Sequence, residues 1–121
     1  INAIKSSIDT LLMILGTLTC FLIVSTLIIN RLNTDLYTAS IIQGILEMTM
    51  GLKSISTLII PDIYKVIISC MFISFGGFAV HLQVISQLVD SDISYKPFFI
   101  ARVFHSIISG FICYILFIVF S

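Results

Sequence analysis

The stretch that decides the fold is residues 36–60, LYTASIIQGILEMTMGLKSISTLII. It is apolar along most of its length, interrupted by Glu47, Gly51 and Lys53 and closed by Pro61. Each limb is shorter than the roughly 20 residues a helix needs to cross a bilayer. Two short limbs joined at a Thr49-Met50-Gly51 break predict a re-entrant helical hairpin that enters and leaves on one side. Irregular backbone at that depth is tolerated only where protein or water surrounds it. The same residues also fit one long kinked helix over 38–60.

On either side lie segments long enough to cross. Asp9 and Arg31 bracket twenty-one residues without a charge. At 1.5 Å per residue they cover about 31 Å, close to the hydrocarbon thickness. A transmembrane helix over 10–30 follows. A second uncharged run, 66–89, carries Gly76-Gly77 near its middle. Adjacent glycines weaken a helix and open dihedrals that other residues avoid. The pattern predicts a crossing helix over 65–90 that is unwound around 74–79. The alternative is that the glycines let a neighbouring helix approach closely. After a polar loop, Pro97 suits the first turn of a last crossing helix over 97–120. On that helix Arg102, Ser106, Ser109 and Cys113 recur at three- and four-residue spacing. Such a stripe is expected to face protein, not lipid.

Composition agrees with the segments. Hydrophobic types make up 59 % of the 121 residues and charged types 10 %, against roughly 25 % charged in soluble domains. Too little polar surface is available to cover a soluble globule. Six bases balance six acids, so no basic patch exists for nucleic acid. Lys5, Lys96 and Arg102 fall toward one side and Arg31, Lys53 and Lys65 toward the other, which sets no orientation. Cys20, Cys70 and Cys113 lie singly in apolar runs, the usage of buried small hydrophobes. The expected class is an all-α membrane protein with three transmembrane helices, one broken near Gly76-Gly77, plus a re-entrant hairpin. It forms a single membrane domain over 1–121. The opening Ile1-Asn2-Ala3, without methionine, reads as part of a longer membrane protein.

The polar residues inside these segments are the candidate site. Glu47 leads, because an ionisable group at membrane depth normally faces a cavity or a partner. Ser40, Gln43 and Glu47 fall on one helical face. Together they can accept from hydroxyls, hold a cation or carry a proton. Pairing of Glu47 with Lys53, or capping of a half-helix, is the structural alternative. His81 and Gln83 follow the double glycine, where an unwound helix frees backbone groups as in many transporters. Arg102 and His105 share a face near the start of the last helix. Arg102 suits a carboxylate clamp, and equally snorkelling or pairing with Asp90 or Asp92. Glu47, His81 and His105 lack metal-ligand spacing, so no metal is expected, and no catalytic motif of a soluble enzyme is present.

Three strings carry a resemblance: GILEMTMGL (residues 44–52), SFGGFAVHLQVIS (74–86) and YKPFFIARVFHS (95–106). They resemble the C-terminal half of the YlbJ-type sporulation integral membrane proteins, within the nucleoside-recognition, or gate-domain, membrane proteins. The order of segments is similar to the second repeat of concentrative nucleoside transporters. By that resemblance Glu47 matches a substrate-binding hairpin glutamate, and Gly77-Phe78-Ala79 opens the broken-helix string. Val80 stands where those transporters carry asparagine, and Leu82 and Gln83 replace the serines that follow. The resemblance implies a non-enzymatic transporter of endospore formation, carrying dipicolinate across the outer forespore membrane. Together with the polar residues read above, the candidate substrate-binding set is Gln43, Glu47, Gly76, Gly77, His81, Gln83, Arg102 and His105 around a small anionic solute. The partners implied are the lipid bilayer and an N-terminal repeat of the same protein. No cofactor is implied beyond a coupling proton or cation. A non-transporting protein of spore assembly, or a nucleoside permease, is the alternative.

Overall fold

The computed structural model describes residues 1–120 and is helical throughout, with no strand among the described residues. The elements are α1 (Asn2–Leu32), α2 (Leu36–Leu46), α3 (Met48–Thr57), α4 (Asp62–Phe75), α5 (Gly77–Leu88) and α6 (Lys96–Phe120). Three segments are long and apolar enough to cross a membrane: α1, the α4–α5 pair over Asp62–Leu88, and α6.

Each helix end has a local cause. Asn33 stops α1 in the left-handed conformation, φ 48°, and returns its N–H to the Ile29 carbonyl. Asparagine tolerates that geometry, and Arg31 in the last turn favours the helix dipole. Asp35 starts α2 by accepting from the Thr38 N–H at 3.0 Å and its hydroxyl at 2.7 Å. Those bonds, the hydroxyl's first, hold the Asp35 carboxyl below its ordinary value. Along α1, the hydroxyls of Thr10, Thr17, Thr19 and Thr26 bond carbonyls one turn back, so they cost little in an apolar medium.

α2 and α3 form the hairpin. Eleven and ten residues rise only about 16 and 15 Å, half the hydrocarbon thickness. The arms run antiparallel, with Gly44 against Gly51 and the Ser54 hydroxyl donating to Gln43 Oε1. The reversal, however, is at Glu47, not at Thr49-Met50-Gly51. Glu47 alone is extended, φ −147° and ψ 113°, while Gly51 lies inside α3. Gly51 instead permits close packing of the arms. A Cβ there would strike the Gly44 backbone, and one on Gly44 would enter the Phe72 ring. The single kinked helix over 38–60 is excluded by this reversal.

The break in the second span is narrower than the 74–79 expected. Gly76 (φ 90°) closes α4 and Gly77 (φ 70°) opens α5. Positive φ is the reason both are glycine. α6 packs antiparallel along α4, with Arg102 opposite Ser74, Ser106 opposite Met71 and Ser109 opposite Cys70. The small polar stripe thus faces protein, as its spacing predicts. α5 lies antiparallel to α1, joined where Ser86 Oγ meets Met13 Sδ at 2.6 Å. The hairpin sits between the two pairs. Its core is small: Ala39, Ile55, Phe72 and Ala79 are the buried apolar side chains. Long runs of Ile, Leu and Phe on α1 and α6 stay exposed, a surface suited to lipid.

Candidate functional site

The two interruptions meet. A Cβ on Gly77 would lie 3.0 Å from the Met48 N, 3.2 Å from the Leu46 carbonyl oxygen and 3.3 Å from Glu47 Cα. The hairpin tip therefore rests on the broken helix, and the ends of α2, α3, α4 and α5 converge there. Free helix ends need partners in an apolar medium, because each end leaves backbone groups unbonded.

Glu47 supplies one set. Only 2 % exposed, its carboxylate accepts from the Thr49 N–H at 3.1 Å, the Met50 N–H at 3.0 Å and the Thr49 hydroxyl. It is the N-cap of α3, and a negative charge there is favoured by the helix dipole. Lys53 is exposed, so the capping arrangement holds and the Lys53 pair does not form. Ser40 is buried and bonds the Leu36 carbonyl, while Gln43 is held by Ser54.

Arg102 serves the end of α4. Its Nη1 donates to the Ser74 carbonyl at 3.0 Å, a group freed by the break, and the guanidinium lies 5.4 Å over the Phe98 ring. Its Nε is buried without a partner. Asp90 and Asp92 do not pair with it.

His81, 2 % exposed, sits one turn into α5. Its Nδ1 is joined to the Tyr95 hydroxyl by a 2.6 Å hydrogen bond, and its Nε2 is unpartnered. Rings of Phe75, Phe98 and Phe99 surround it, with centroids at 4.6, 5.5 and 5.5 Å. Burial pushes the Tyr95 phenol above its ordinary value, so it keeps its proton. Beside this cluster a groove of about 440 Å³ is lined by Phe21, Phe78, His81, Leu82, Tyr95 and others.

The break thus gathers Glu47, Gly76, Gly77, His81 and Arg102, with Gln43 one turn down the hairpin. Gln83 lies apart, against Thr10 and Met13 of α1. His105 is exposed on α6 and stands outside the cluster, because three residues past Arg102 it is turned about 60° off the Arg102–Ser106 face. Sequence reasoning missed Tyr95. Its only local signal is its place beside Lys96-Pro97 at the start of α6, and nothing in the order of residues brings it to His81. Among the described residues no cluster of three potential metal ligands occurs.

Three apolar spans, a buried capped carboxylate and carbonyl-bound arginine define an integral membrane protein of the all-α class. No family model matches the chain, and no solved structure matches it significantly. Among curated proteins it is similar to the "Sporulation integral membrane protein YlbJ" of Bacillus subtilis (strain 168). The two are 30 % identical over 123 aligned residues, which take in 88 % of this chain and 30 % of that protein. The chain spans about a third of the length of the curated relative it matches.

Proposed function

We propose that this chain is the gate-like part of a non-enzymatic membrane transporter of endospore formation, moving a small organic anion of the dipicolinate type across the outer forespore membrane. One observation carries the reading: the hairpin tip, with Glu47 buried in it, rests on the glycine break of a spanning helix. Discontinuous helices meeting inside the bilayer are a common way to build a solute site. Similarity to a sporulation integral membrane protein supports the cellular setting. The solute follows from the family resemblance.

The chemistry of the break suits an anion. Its one buried carboxylate is folded onto the first N–H groups of α3, so the positive end of that helix offsets part of its charge. Around it stand a guanidinium, an imidazole with a free nitrogen, and α5, whose N-terminus has no side-chain cap. Such ends and such side chains favour carboxylates. A nucleoside fits less well, because Val80 and Leu82 supply no hydrogen bonds.

The test is uptake of labelled dipicolinate and of uridine by the full-length protein in liposomes. Dipicolinate flux reduced at least about tenfold in Glu47→Gln, from folded protein, is the expected result. Uridine flux alone would replace the solute, and no flux of either would remove transport. A second reading has its own support. Glu47 and Arg102 both spend their bonds on helix ends, as structural pins of a non-transporting spore-assembly protein would. In that case their variants lose folded protein and spore assembly, with no flux to lose.

A further inference from the structure

The α4–α5 span is divided between two partners. α4 is fastened to α6 by Arg102 on the Ser74 carbonyl, Ser106 on the Met71 carbonyl at 2.9 Å and the facing Cys70 and Cys113 thiols at 3.4 Å. α5 packs instead on α1 and α2, with no comparable packing against α6. Between these halves stand Gly76 and Gly77, both at positive φ. Adjacent glycines of that kind are where a backbone rotates at least cost.

Across the joint, one side-chain hydrogen bond ties α5 to α6 among the described residues: His81 Nδ1 to the Tyr95 hydroxyl. Tyr95 moves with α6, since its carbonyl accepts from the Phe99 N–H at 3.2 Å in the first turn. The rest of the seam is aromatic contact from Phe98 and Phe99, which slides more readily than a directional bond. The adjoining groove of about 440 Å³ lies between α1, α5 and the start of α6, and it leaves room for α5 to move.

We infer that Tyr95 and His81 form a latch holding α5 against the start of α6, and that its release lets α5 swing with α1 about Gly76–Gly77, against the fixed α4–α6 pair. Tyr95 is then a positioning residue: it acts through His81 and sets whether the break is open or closed. The purpose of the motion rests on the transporter reading, while the motion itself does not.

The experiment measures spin-label distances in the full-length protein in nanodiscs, with Cys20, Cys70 and Cys113 replaced by alanine. One label pair spans the latch, at Gln87 on α5 and Phe104 on α6. A control pair, at Ile73 and Ile107, reports α4 against α6. All four side chains are exposed. Loss of one hydrogen bond shifts a two-state population by about 2- to 10-fold. Tyr95→Phe is expected to raise the long-distance population of the latch pair by that factor, with the control pair unchanged. His81→Phe is expected to do the same, and the double variant to add nothing. Unchanged latch distances in both variants, or equal broadening of both pairs, would overturn the latch. Uptake by the protein with native Tyr95 and His81, set beside the distances in the variants, separates the two readings. Altered distances without flux keep the latch and remove transport, whereas flux with unaltered distances does the reverse.

Discussion

The hairpin and the broken span are both interrupted where they meet, yet by opposite means. At Gly76–Gly77 the backbone itself is exceptional, with two glycines at positive φ and no capping side chain. At Glu47 the backbone is ordinary extended chain, and the side chain is exceptional, folded back onto the N–H groups of α3. The first device lets a helix change direction and stay pliable. The second fixes a reversal, because breaking it exposes a buried charge and two amides together. Placed in contact, they pair a rigid tip with a flexible joint.

The largest effect that bears on this contrast is expected at Gly51. Gly51→Val drives a branched side chain into the Gly44 backbone, which has no flexible atom to yield. Overpacking of this sort costs about 1–3 kcal/mol, and rigid backbone puts it at the upper end. Folded yield and Tm of the purified protein would read it, and an unchanged Tm in this variant would mean the arms are not clasped. Next is Glu47. Glu47→Ala removes the cap and leaves the Thr49 and Met50 N–H groups buried, a loss of about 1–2 kcal/mol. Glu47→Gln keeps one acceptor and loses less. Equal losses in the two would mean that the charge, not the cap, fixes the reversal.

Arg102→Met probes the other interruption. It keeps the stem against Phe98 but frees the Ser74 carbonyl, and a lost charged hydrogen bond of this type is worth about 1.5–3 kcal/mol before partial solvation reduces it. The end of α4 should then fray, seen as faster amide exchange at Phe72 through Gly76 while the hairpin stays protected. Exchange rising in both regions alike would dissolve the distinction between them. The smallest effect lies outside the three spanning segments. Asp35 has its carboxyl lowered by its bonds to Thr38, so its help to α2 is present above its unfolded pKa and fades as pH falls through the lower folded one. Slight fraying of α2 below about pH 4 should vanish in Asp35→Asn, which caps without titrating.

Much of this was legible in the residues. Charge-free runs of bilayer length gave the spans, because hydration of charge governs what enters lipid. The Arg102–Cys113 stripe predicted a protein-facing side, since small polar groups on a Phe-rich helix have no reason to face lipid. The hairpin was legible from limb length, but its turn was misplaced at Gly51. Glycine signals either a bent backbone or a close neighbour, and sequence alone cannot separate them. Gly76 and Gly77 bend, while Gly44 and Gly51 clasp. His105 failed for a related reason, because spacing along a helix gives angles and not which angle meets a partner.

Three features followed from the chain itself: the all-helical class, the number of spans, and a short apolar pair of arms unable to cross. Each depends on local hydropathy and length, which tertiary contacts do not alter. Only the folded arrangement decided that the hairpin tip lands on Gly77, that Arg102 bonds the Ser74 carbonyl, and that Tyr95 reaches His81. Those contacts join residues 14 to 31 positions apart, and they arise because free helix ends inside a bilayer must find partners in whatever element packs beside them.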